Sequence, residues 1–160
     1  ANILQRGGKI YNRLDQHDVA IDFYREAMEI FTELVELEPE NGRAPRDKAW
    51  CHYFLAESLI AEAIQIEGGF DSLDEGLAIL RDRCAAYPSD ADARNDLVLY
   101  VESYIWMFAQ AGKLDRANAG CRVVLLALQP VVEANPDNYA LSEVFSKMEE
   151  YLSQGIVWWK

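Results

Sequence analysis

Ala20-Ile21-Asp22-Phe23-Tyr24-Arg25-Glu26-Ala27-Met28-Glu29-Ile30 is the stretch on which the fold turns. Ala20, Tyr24 and Ala27 recur at the four- and three-residue steps of one helix face, while Asp22, Arg25, Glu26 and Glu29 fall on the other. Leu34 carries the apolar face on, and Glu38-Pro39-Glu40-Asn41 stops it. A long amphipathic helix therefore ends at a proline, and the same event occurs twice more, at Pro88 and Pro136. These prolines lie 49 and 48 residues apart. A period of this size built from two helices is the mark of stacked helix pairs, because one pair cannot bury its own apolar face.

Working outward, breakers divide the chain into seven predicted helices, at about 3–14, 18–38, 46–67, 72–87, 91–111, 115–134 and 138–153. Gly68-Gly69 reads as the break between the third and fourth. Ser72 with Glu75 three residues on reads as a capping box opening the fourth. Pro130 falls inside the sixth, where it removes one backbone hydrogen bond at roughly 3 kcal/mol and predicts a kink or break. Alternation of the kind that marks strands is nearly absent.

Within the first pair, Leu4, Gly8, Tyr11, Ala20, Tyr24 and Ala27 stand at a spacing that resembles the tetratricopeptide repeat (TPR). The second pair offers Ile60, Ala61 and Ile64, then Gly76, Leu80 and Pro88; the third offers Val101, Tyr104, Ile105 and Phe108, then Ala117, Cys121 and Val124. The units are longer than the common form, and look like the long-helix variant found in bacterial multidomain signalling proteins. The resemblance implies an all-α fold, an α-solenoid of antiparallel helix pairs in a right-handed superhelical stack. The chain divides on this reading into repeat 1 at 1–40, repeat 2 at 41–88, repeat 3 at 89–136 and a terminal capping helix and tail at 137–160. The opening Ala1-Asn2 and the closing Ile156-Val157-Trp158-Trp159-Lys160 suit a piece of a longer protein.

Composition narrows the function. Fifteen Lys and Arg against 27 Asp and Glu give a net charge of −12, which repels phosphate backbones and anionic lipid, so nucleic acid and membrane are not expected partners. No stretch reaches the roughly 18 apolar residues of a membrane span. Cys51, Cys84 and Cys121 are odd in number, widely spaced and set in apolar stretches, which reads as buried free thiols in the cytoplasm.

Catalytic and metal motifs are missing from the sequence. His17 reads as a solvated helix-start residue in Asp15-Gln16-His17-Asp18, and His52 as a partly buried histidine satisfied by a neighbour. No Glu-x-x-His, His-x-x-x-His or Cys-x-x-Cys spacing occurs, and Gly7-Gly8 follows no strand, so close helix packing explains it better than a phosphate loop. The chain is therefore read as a non-enzyme without a cofactor or a metal.

The expected function is a protein-interaction scaffold that binds a peptide or helix of another protein. The resemblance places the first helix of each pair on a concave wall. That puts Gln5, Lys9, Asn12 and Arg13 on the first, Leu55, Ser58, Glu62 and Gln65 on the third, and Leu99, Glu102, Trp106 and Gln110 on the fifth. The first group is a slightly basic patch on an acidic molecule and suits an acidic peptide; the alternative is a plain soluble helix surface. Trp106, if exposed, is the best single anchor. A Lys and Asn carboxylate clamp known in some TPR domains is not carried over, since the matching places hold Gln5 and Lys9, and Leu99 and Ser103. Other readings are a regulatory module of a bacterial signalling enzyme such as a Ser/Thr kinase, and a secretion-type chaperone. Leu141, Val144, Phe145, Met148 and Leu152 form an apolar face on the last helix, which either caps the third pair or, with Trp158 and Trp159, makes a homo-oligomer.

Overall fold

The structure, a computed structural model, describes residues 1–38, 41–61, 65–134, 137 and 139–154, except the side chains of 140, 141 and 154. It is all-helical among these residues, with seven helices and no strand. They are α1 (Asn2–Arg13), α2 (His17–Leu37), α3 (Arg43–Ala61), α4 (Ile66–Ala86), α5 (Ala91–Gln110), α6 (Leu114–Ala134) and α7 (Tyr139–Gln154). Two compact units result, Ala1–Leu80 and Arg81–Lys160.

In the first unit α1 and α2 form a hairpin, and α3 packs on α2. The turn between α1 and α2 closes by Gln16 N–H donating to the Tyr11 carbonyl at 3.0 Å, with Asp15 in the left-handed region at φ 56°. The contact that sets the hairpin is between Gly8 and Tyr24. A Cβ on Gly8 would lie 2.6 Å from the Tyr24 ring, so only glycine lets that fully buried ring cross α1. Ala20, Tyr24, Leu55 and Leu59 make one core cluster, and Ala27, Phe31 and Cys51 a second, so the face read from residues 20–30 is the one that α3 covers.

α3 begins after Asn41, whose side-chain oxygen accepts from Arg43 N–H at 3.1 Å. Pro45 is the third residue of that helix, where no intrahelical N–H bond is forfeited. The expected break at Gly68-Gly69 is not there. α4 starts at Ile66 and runs through both glycines, and Gly69 serves packing: a Cβ there would meet Ile60 Cγ1 at 2.7 Å and the Ala56 carbonyl at 3.1 Å. Ser72 is accordingly no cap. It is buried inside α4, where its hydroxyl donates to the His52 carbonyl at 3.1 Å and lies 3.1 Å from His52 Nδ1. Neither signal marks a helix boundary here, because glycine permits both a break and a close approach and only the neighbouring helix distinguishes them.

In the second unit α5 and α6 form a hairpin and α7 packs on α6. Asp90 caps α5, accepting from Asp92 and Ala93 N–H at 2.9 and 3.2 Å, and those bonds together with Arg83 hold its carboxyl below the usual range. Arg83, nearly buried, bridges Asp90 at 2.9 Å and Asp96 at 2.8 Å, tying the end of α4 to the start of α5. Gly112 at φ 71° closes α5, with Lys113 N–H donating to the Phe108 carbonyl at 2.8 Å. α6 continues through Pro130, so of the expected kink or break the break is absent. Met148 and Tyr151 of α7 are buried. The Leu141 side chain, Trp158 and Trp159 lie outside the described residues.

Candidate functional site

α1 buries Gln5 and Gly8, and packs Leu4 and Tyr11, partly buried, against the core clusters. Lys9, Asn12 and Arg13 of α1 line a cleft of about 410 Å³ together with Tyr24 of α2, and Phe54 and Glu57 of α3. The cleft is open to solvent on one side. Asn12 ties its end together. Its Nδ2 donates to Glu57 Oε2 at 2.9 Å, and its Oδ1 accepts from His17 Nδ1 at 2.5 Å and from the Ser58 hydroxyl at 3.1 Å. One amide thus joins α1, the first residue of α2, and α3.

Lys9 Nζ stands over the Phe54 ring, 4.0 Å from its centroid, and Phe54 stacks on Tyr24 at 5.9 Å. Burial, with Arg13 and Arg6 nearby, lowers the Lys9 pKa against the opposing pull of Asp47. Burial raises the Glu57 carboxyl, against the Asn12 hydrogen bond that favours its ionised form. Tyr24 itself is fully buried, and its hydroxyl has no hydrogen-bond partner. Leaving such a group unpaired costs about 1–3 kcal/mol. Burial, then the Glu57 charge, push its pKa well above the ordinary tyrosine value, so it is a protonated donor.

Of the residues expected on a partner-facing wall, Lys9, Asn12 and Arg13 come together in this cleft. Gln5 is 9% exposed, and its amide donates to the Asp47 carbonyl at 3.3 Å. Leu55 at 7% and Ser58 at 0% are buried, so their assignment to a contact surface is corrected: Leu55 packs on Ala20 and Tyr24 of α2, and Ser58 donates to Asn12 of α1. Gln65 is exposed and Glu62 lies outside the described residues. On α5, Leu99 is 52% and Trp106 43% exposed, and Gln110 is open; Glu102 accepts from Lys147 of α7 at 2.6 Å. Tyr24, Phe54 and Glu57 were missed as site residues. Tyr24 reads as core from its spacing, which it is, and nothing in a sequence marks which buried hydroxyl goes unpaired.

The histidines also differ from expectation in part. His17 is not simply solvated but bonded to Asn12, with Nε2 4.0 Å from Asp15. His52 is buried, and its Nδ1 faces both Ser72 Oγ at 3.1 Å and Glu75 Oε2 at 3.4 Å. A hydroxyl-activating relay needs one ring nitrogen toward the hydroxyl and the other toward the carboxylate; here one nitrogen meets both, and the arrangement is a tie between α3 and α4. Burial, then Lys48, lower its pKa to about 4. The three cysteines are buried free thiols. Burial pushes Cys51 up to about 12 and Cys121 up to about 11, and raises Cys84, so none is a thiolate nucleophile at neutral pH. Among the described residues no group of three or more His, Cys, Asp or Glu converges to hold a metal ion, and no helix is long and apolar enough to cross a membrane. No protein-family model, curated protein or solved structure matches the chain.

Proposed function

We propose that the chain is a non-enzymatic interaction module of the tetratricopeptide-like solenoid kind, which holds an extended segment of another protein along α1 and α3. The single observation that carries this reading is the open α1–α3 cleft, lined by Phe54 and by Lys9 and Arg13, neither ion-paired among the described residues. A volume of about 410 Å³ falls in the range of roughly 300–1,000 Å³ usual for binding pockets. Supporting the helix-pair architecture are the two glycine-to-tyrosine hairpin contacts, Gly8 with Tyr24 and Gly120 with Tyr104. Buried, protonated thiols suit a reducing cytoplasm.

The test is selection of binders from a random peptide display library, followed by an NMR titration of the labelled chain with the enriched peptide. Shifts gathered at Lys9, Asn12, Tyr24 and Phe54, and lost affinity in Phe54→Ala, are expected. Enrichment of nothing above background, or shifts gathered on other helices, overturns the reading. The exposed Leu99 and Trp106 support a second contact surface on α5; a folded Trp106→Ala variant that recovers every partner equally removes it.

A further inference from the structure

One side of α1 is left uncovered by its neighbours. Gln5 and Asn12 reach α3, bonding the Asp47 carbonyl and the Glu57 carboxylate, so the residues half a turn round the helix face away from α3. These are Ile3, Ile10 and Leu14, which are 86%, 59% and 59% exposed. Their spacing of seven and then four residues makes a continuous apolar strip along the helix. Arg6, exposed, stands at its outer edge, and α1 has no acidic residue. At its inner edge the strip runs onto α2: Phe23 stacks on Tyr11 at 5.2 Å, and a Cβ on Gly7 would lie 3.0 Å from the Phe23 ring. Ala20 and Tyr24 take the α3 side of α2, so Ile30, half-buried, and Leu37, exposed, lie on the side turned away from α3, in line with Phe23. Glu26 and Glu33, both exposed, border them on the outer edge of α2. From edge to edge, this face of the hairpin is positive, then apolar across both helices, then negative.

We propose that this face of the α1–α2 hairpin binds a second copy of the chain, about a twofold axis parallel to the helices. Such an axis lays α1 of each copy over α2 of the other, so the apolar strips cover each other and the positive edge meets the negative edge twice. A twofold axis running across the helices would instead lay α1 on α1 and bring the Arg6 edges together, which like-charge repulsion disfavours. Height along the helices is unchanged by rotation about an axis parallel to them. The Gly7–Phe23 and Gly8–Tyr24 contacts set Arg6 about level with Glu26, so Arg6 of one copy arrives at Glu26 of the other. A net charge of −12 opposes association of copies in general, so they meet where each brings both signs and an apolar strip to cover. This face is turned away from α3, and the inference stands independently of peptide binding along α1 and α3.

The experiment is sedimentation of the full chain across the micromolar range, where a monomer–dimer equilibrium is expected. Ile10→Glu places two charges in the apolar strip of each dimer and is expected to weaken it about 100-fold. Its side chain is exposed in the monomer, so the circular dichroism of the variant should match that of the parent chain. Arg6→Glu and Glu26→Arg should each weaken the dimer about 10-fold, since each turns two attractive pairs into two repulsive ones. An equimolar mixture of these two variants is expected to recover the parent affinity as a heterodimer, because both pairs are then again of opposite sign. A change of fold in either variant would not be repaired by mixing. A parent chain that stays monomeric throughout overturns the proposal. So does a dimer indifferent to Ile10→Glu and to both reversals, which would place the contact on another face, and so does a mixture no tighter than its two components.

Discussion

The α1–α2 and α5–α6 hairpins make the same contact with the roles exchanged. In the first, Gly8 on α1 faces the Tyr24 ring on α2; in the other, Gly120 on α6 faces the Tyr104 ring on α5, where a Cβ would lie 2.7 Å away. Either helix can supply the volume and either the gap, so the hairpin itself is indifferent to the choice. The first helix of each pair is not. α1, which gives the glycine, buries two residues and keeps its cations at a cleft, whereas α5, which gives the tyrosine, buries nine, among them Tyr104 packed at 4.5 Å from Phe108. With the aromatic on the second helix, the first leaves Lys9, Asn12 and Arg13 at a cleft; with it on the first, that helix is core.

Acid should separate the two regions most strongly. Both histidines of the chain, His17 and His52, belong to the first unit. His52 is lowered from 6.5 to about 4, so between those values the unfolded chain binds a proton that the folded chain refuses. Stability is therefore full above about pH 6.5 and declines as pH falls toward 4, by roughly 3 kcal/mol at the usual 1.36 kcal/mol per pH unit. Hydrogen exchange at pH 7 and pH 4.5 should show loss of protection in α3 with α5 and α6 less affected, and His52→Gln should flatten the difference. Uniform loss across both hairpins would erase the distinction.

Of intermediate size is the effect of filling the gaps. Gly8→Ala and Gly120→Ala each force a Cβ into a tyrosine ring, at 2.6 and 2.7 Å, and should each lose about 1–3 kcal/mol in a denaturant titration. Similar losses support the exchanged-role description; a neutral Gly120→Ala would mean that Tyr104 moves freely and that the two contacts are not equivalent. The smallest effect lies in the turns. Gly112 has open space around its missing Cβ but a positive φ, so Gly112→Ala should cost about 1 kcal/mol through backbone conformation alone. Asp15 already occupies the corresponding left-handed position, and Asp15→Gly should raise the melting midpoint slightly. A midpoint lowered by Asp15→Gly would show that the Asp15 side chain contributes through His17, 4.0 Å away.

Much of the helical plan was legible in the residues themselves. Proline and polar clusters placed five of the six connections within a few residues, and the four- and three-residue recurrence of Ala20, Tyr24 and Ala27 identified a face that is fully buried. The α3–α4 connection was misplaced because a glycine pair reports tolerance of unusual backbone or of close contact without saying which, and at Gly69 the contact with Ile60 and Ala56 decides. Half of the first-helix site was equally legible, as Lys9, Asn12 and Arg13 form a basic stripe on an acidic chain.

What the sequence determined alone is what depends on neighbours within a few residues: helix periodicity, stops, charge, and the absence of local metal or nucleophile motifs. Tertiary structure alone decided which polar groups find partners. Ser58 meets Asn12 from 46 positions away and vanishes into the core, Gln5 spends its amide on Asp47, and the Tyr24 hydroxyl, equally buried, meets nothing. Hydrogen-bond satisfaction depends on the positions of atoms far apart along the chain, and so an unsatisfied donor becomes visible only once the helices have packed.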